Sequence, residues 1–134
     1  LQARLRRVRV ACGDWTRVLG NTPTTGHKRL TAVFLDPPYS EEAGRSDNLY
    51  SVDDLQVAKE VAKWAVENGN NPLMRIALCG YDGEHTMPSD WDSMNWFAGG
   101  GYAAQGKSDI SKNKNRLREM IWFSPHCLKG CLWL

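Results

Sequence analysis

A chain of 134 residues with 42% hydrophobic and 24% charged side chains has the length and apolar content for a single domain around one core. A net charge of +2 and six tryptophans exclude a disordered polymer. No apolar run reaches the ~20 residues that cross a bilayer, and the Arg-rich opening (Arg4, Arg6, Arg7, Arg9) lacks the apolar centre of a secretion signal, so a cytoplasmic protein without a membrane partner is expected.

Val8 to Cys12 alternates apolar and polar, which predicts a first strand with Cys12 as a small buried hydrophobe; a turn at Gly13-Asp14 and a short helical stretch from Trp15 to Leu19 follow. Thr, Gly and Pro make a loop of Asn21 to Arg29. Leu30 to Leu35 is a nearly continuous apolar run, the pattern of a parallel strand buried on both faces. After Asp36-Pro37-Pro38-Tyr39 and a polar loop, Ser51 is the expected N-cap of a helix. Its apolar face would be Leu55, Ala58, Ala62, Ala65 and Val66, with Gly69 as its stop.

Met74 to Cys79 is a second apolar strand, and Gly80-Tyr81-Asp82-Gly83 reads as its turn. Strand, helix and strand form a crossover unit of an α/β sheet. Glu84 to Asn95 is expected to be loop or short helix, Trp96 to Gly106 irregular, and Glu119 to Ser124 a last strand stopped by Pro125. His126 and Cys127-x3-Cys131 lack the second ligand pair of a zinc site, so no metal is expected and the thiols are read as free.

The chemistry is concentrated in Asp36-Pro37-Pro38-Tyr39, at the carboxyl end of a sheet strand, where open α/β sheets bind ligands. An exocyclic purine amine is a poor nucleophile because its lone pair is delocalised into the ring. Asp36 and the Pro37 carbonyl can accept both N–H groups and favour a pyramidal nitrogen. The two prolines, Pro37 and Pro38, stiffen the backbone that presents these acceptors, and Tyr39 offers a flat ring for a base taken out of the duplex. The plain alternative is a Pro-Pro turn with a surface tyrosine.

With these residues the chain resembles the Dam-like N6-adenine-specific DNA methyltransferases, most closely those of phages and prophages. The resemblance implies a partial Rossmann-like α/β methyltransferase fold with a mixed sheet and flanking helices, S-adenosylmethionine as cofactor, and duplex DNA with a flipped adenine as partner. Cys12-Gly13-Asp14-Trp15 matches the family's strand-end step, which makes Asp14 and Trp15, with Asp36, cofactor-site candidates. Tyr50 matches the aromatic residue that closes over the cofactor, or else packs on the first turn of the following helix. The basic stretch with Lys107, Lys112, Lys114, Arg116 and Arg118 suits phosphate contacts, or else a solvated hairpin loop.

The family's aromatic-x-Gly-x-Gly cofactor element and its target-recognition domain have no counterpart here; Gly99-Gly100-Gly101 lacks the strand and helix such a loop needs. The chain is therefore expected to be the C-terminal catalytic portion of a longer protein, or one half of a split enzyme, with little activity alone. The sheet surface left uncovered would favour a homodimer. Two further functions stay open: a non-catalytic nucleic-acid-binding module of the same fold, and a methyltransferase for cytosine N4, RNA or a protein amide.

Overall fold

The computed structural model describes residues 2–6, 8, 10–26, 28–39, 54–96 and 118–128. Along the chain run a four-residue helix α1 (Gln2–Leu5), a single 3-10 turn (Trp15–Arg17), strand β1 (Thr31–Leu35), helix α2 (Asp54–Asn68) and strands β2 (Met74–Tyr81), β3 (Asp92–Asn95) and β4 (Glu119–Phe123). The four strands form one mixed sheet in the order β1-β2-β4-β3, with β1 and β2 parallel and the other two pairs antiparallel. The α/β character and the strand-helix-strand unit are thus as the sequence predicts.

Residue alternation gives the sheet two unlike faces. Val33 and Leu35 of β1, Met74, Ile76 and Leu78 of β2 and Trp122 of β4 share one face and form the core with Val61 and Ala65 of α2 and with Trp91. Ile76 and Leu78 are wholly buried, and each such side chain contributes roughly 1.5–3 kcal/mol. The buried stripe of α2 is Ala58, Val61 and Ala65. Val61 therefore belongs to the face predicted for this helix, while Ala62 and Val66 lie at its half-buried margin. Ser51, the predicted cap, lies outside the described residues.

Gly69 does more than stop the helix: a Cβ there would lie 2.5 Å from the Trp91 ring, so only glycine lets the indole close over the helix end. At the far end of the sheet, Ser124 is buried and grips β2 twice, its N–H donating to the Ile76 carbonyl and its Oγ accepting from the Ile76 N–H. This stitches the chain just past β4 to the centre of the core.

Four expectations need correction. Among the described residues of Val8 to Cys12 there is no strand: Val8, Val10 and Cys12 are exposed, Val10 to 95%, and none of them joins the four-stranded sheet. An alternating pattern forms a strand only where a ladder and an apolar surface receive it. β1 is not buried on both faces but is an edge strand, with Phe34 66% exposed on the face away from the core. β2 runs through Gly80 to Tyr81, and its turn starts at Asp82. β3 falls where loop or helix was expected; its ladder is with β4, in the register Asp92↔Phe123 to Asn95↔Met120. Among the described residues no helix is long and apolar enough to cross a membrane.

Candidate functional site

The parallel register Leu35↔Leu78 ends β1 one residue before Asp36. Alternation then turns Pro37 toward the core, where it is buried, and Asp36 to the opposite face, where it is exposed. Pro37 and Pro38 have no amide hydrogen to extend the ladder, so the strand stops there and the chain carries Tyr39 across the end of β2. Its ring meets the Tyr81 ring edge-on, with centroids 4.5 Å apart and planes at 62°. The Arg118 guanidinium also lies over the Tyr81 ring, 5.2 Å from its centroid. Three elements thus converge at the carboxyl end of the parallel pair: the end of β1, the end of β2 and the start of β4.

Cys79, Tyr81 and Glu119 lie on the face that also carries Asp36, because β2 and β4 pair as Cys79↔Ile121 and Tyr81↔Glu119. These groups feel each other's charge. Burial, and then the Asp36 carboxylate, hold the Tyr39 phenol well above its ordinary range. The Cys79 thiol is pushed up to about 12 by burial first and by Asp36 and Glu119 next, so it is a protonated thiol and no nucleophile. Glu119 is raised by burial and then by Asp36. Cys79 is a buried hydrophobe, as its place in an apolar run predicts.

The turn after β2 folds back to brace this end of the sheet. The Tyr81 N–H donates to Glu84 Oε2 at 2.8 Å, the Glu84 N–H returns to the Tyr81 carbonyl at 2.9 Å, and the Asp82 N–H reaches the Arg118 carbonyl at 2.7 Å. Gly83 supplies the left-handed backbone the turn requires, at φ 81°. A Cβ on Gly80 would sit 2.8 Å from His85 Nε2 and 3.1 Å from Glu84 Oε2, so the close return of the turn depends on that glycine as well. The His85 ring stands edge-on to Trp122 at 5.4 Å, and its buried Nε2 has no hydrogen-bond partner among the described residues. Burial drives this imidazole below its ordinary pKa, more strongly than Glu84 and the Cys79 backbone raise it.

Asp14 caps the 3-10 turn, its Oδ1 accepting from the Thr16 N–H at 2.8 Å and the Thr16 hydroxyl at 2.7 Å, and these bonds lower its pKa. Trp15 is half-buried against the core. An exposed carboxylate beside a flat indole suits an adenosine group in kind. Tyr50, Lys107, Lys112, Lys114 and Arg116 lie outside the described residues. Arg118, grouped with those lysines as a phosphate contact, instead lies half-buried over Tyr81. The Cys12 thiol is exposed rather than buried, and the Cys127 thiol donates to the Ile76 carbonyl at 3.5 Å.

Comparison with known protein families, curated proteins and solved structures finds no match for the chain.

Sequence reasoning missed Tyr81, His85 and Glu119. Tyr81 was assigned to a turn, Glu119 counted only as the first residue of a strand, and His85 carried no pattern. A glycine-aromatic step ending one strand, set against an Arg-Glu step opening an antiparallel one, was the available signal.

Proposed function

We propose that this chain binds the exocyclic amine of a nucleic-acid base on the Asp36-Pro37-Pro38-Tyr39 turn and serves as the catalytic part of an S-adenosylmethionine-dependent N6-adenine DNA methyltransferase, built on a Rossmann-like sheet. One observation carries the reading. The turn sits at the carboxyl end of the parallel β1/β2 pair with Asp36 exposed, Pro37 buried as its anchor, and Tyr39 braced by Tyr81.

The physical steps follow from these side chains. Asp36 offers two carboxylate oxygens to an amine, and an ionised acceptor makes a hydrogen bond roughly twice as strong as a neutral one. The Pro37 carbonyl belongs to a backbone stiffened by two prolines, so little entropy is lost when it takes the second N–H. Tyr39 remains a neutral phenol because burial and the Asp36 charge oppose its ionisation, leaving an uncharged ring face for a base. The cofactor supplies an electrophilic methyl group when bound. Asp14 and Trp15 are the residues that would hold its adenosine part, and Tyr50 and the basic residues Lys107, Lys112, Lys114 and Arg116 belong to the same proposal as cofactor-closing and phosphate-contacting groups.

The test is methyl transfer from labelled S-adenosylmethionine to duplex and single-stranded DNA, with the methylated base identified after digestion. Asp36→Ala should lower transfer about 10²–10³-fold, the usual cost of losing one group that stabilises the reacting centre, while the fold stays intact by circular dichroism. Label on cytosine N4 or on protein would move the assignment to another amine substrate. Salt-sensitive DNA binding with neither cofactor binding nor transfer would make the chain a nucleic-acid-binding module instead.

A further inference from the structure

We propose that β1 pairs with β1 of a second copy of this chain across a two-fold axis, antiparallel and centred on Ala32, so that two sheets of four strands become one sheet of eight. The inference goes beyond the amine-binding reading and does not depend on it.

The Thr31 N–H donates to the Leu73 carbonyl at 2.8 Å, and the parallel register continues this pairing through Val33 and Leu35. In a strand the N–H and C=O of one residue point the same way, and those of the next residue point oppositely. Leu30, Ala32 and Phe34 therefore direct their backbone groups away from β2, and among the described residues no strand meets them. Leu30 to Leu35 contains neither a charge nor a proline, the usual devices that keep edges apart. The opposite edge of the sheet is protected in that way: β3 has only four residues and exposes Asp92, Ser93 and Asn95.

What selects a second copy is that this edge is complementary to itself. Leu30 and Phe34 are 64% and 66% exposed and flank Ala32 symmetrically, two residues to either side on the face away from the core. Antiparallel pairing about Ala32 sets each Leu30 opposite Phe34 of the other copy, with only the small Ala32 side chains at the axis. The charges agree with this arrangement. Lys28 and Arg29 stand exposed before the apolar run, and Asp36 stands exposed after it. Antiparallel alignment brings the basic end of each copy to the acidic end of the other, twice per dimer, whereas parallel alignment sets like charges together. The seam is only five residues long, so the dimer should be weak and concentration-dependent.

Sedimentation velocity of the full chain over a concentration series tests the proposal. The wild type should pass from monomer to dimer, and a monomer at every concentration up to about 1 mM overturns the proposal. Ala32→Pro removes an N–H that points away from β2, so it should abolish the dimer and leave the circular dichroism of the monomer unchanged. Two charge variants test the alignment: Lys28→Glu with Arg29→Glu in one chain, and Asp36→Lys in another. Each alone should weaken self-association about tenfold, because both end contacts become repulsive. Mixing the two should restore a dimer, since every end then meets its opposite. Variants that fail to rescue each other overturn the antiparallel pairing, and this result stands even where Ala32→Pro does not fold. A dimer that survives Ala32→Pro but is lost in Val10→Asp would lie on the exposed Val8 to Cys12 stretch, which also overturns the proposal. None of these measurements involves nucleotide or cofactor, so their outcome is separate from that of the methyl-transfer assay.

Discussion

The two faces of the sheet are built from the same strands and differ in nearly everything else. One carries Val33, Leu35, Met74, Ile76, Leu78 and Trp122 under α2, with His85 edge-on to Trp122. The other carries Phe34 in the open and, at the carboxyl end of β1 and β2, Asp36, Cys79, Tyr81 and Glu119. Period-two alternation makes this possible: neighbouring residues turn to opposite faces, so Leu35 anchors the core while Asp36 is exposed on the other side. The lesson is a division of labour, with the apolar core on one face and Asp36, Cys79, Tyr81 and Glu119 gathered on the other.

Mutation can break that division or sharpen it. The largest effect should come from Leu78→Ala, which empties a wholly buried position and should cost about 2–5 kcal/mol in urea unfolding. Phe34→Ser on the opposite face should stay within about 0.5 kcal/mol; a comparable loss there would mean that the second face also carries the fold. Next is Gly80→Ala, where the new methyl must displace the His85 ring or Glu84 Oε2. A loss of about 1–3 kcal/mol is expected, with a change in the near-ultraviolet signal of Trp122, on which His85 packs.

The smallest effect should be a pH slope. His85 is depressed in the folded state, so below its ordinary value of 6.5 the unfolded chain binds more protons than the folded one. Stability should therefore be fully present above that value and fall as pH drops from it toward the depressed folded value. Glu84 opposes part of the effect. His85→Gln should remove the slope, and a thermal-unfolding series from about pH 7.5 to about pH 5, roughly the window of the imidazole, would show whether it does.

What could be read from the sequence was what local pattern encodes. β1, α2, β2 and β4 each carry an apolar run or a helical period of their own, and all four lie within a few residues of their expected positions. Asp36 to Tyr39 was legible because a Pro-Pro pair after an apolar run ends a strand by its own chemistry. The rest depended on partners. β3 reads Asp-Ser-Met-Asn, with Met94 alone half-buried, and is a strand only because β4 lies beside it. Val8 to Cys12 has the pattern but, among the described residues, no strand beside it, and none forms there. An apolar run such as Thr31–Leu35 cannot by itself distinguish an edge strand from a central one. Tyr81 and Glu119 enter the site through a register that pairs positions 81 and 119, a separation no local window spans.

The position of β1 at the edge of the sheet bears on what the site can become. Along one side it is bonded to β2; along the other, among the described residues, no strand joins it, and an edge offers alternate N–H and C=O groups to whatever comes next. A crevice has two walls, and β2 with Tyr81 provides one of them. Any segment that docks along Thr31–Leu35 arrives with its end beside Asp36 and supplies the second. The residue that would hold the substrate thus lies on a seam, where the completion of the sheet and the completion of the binding site are a single event.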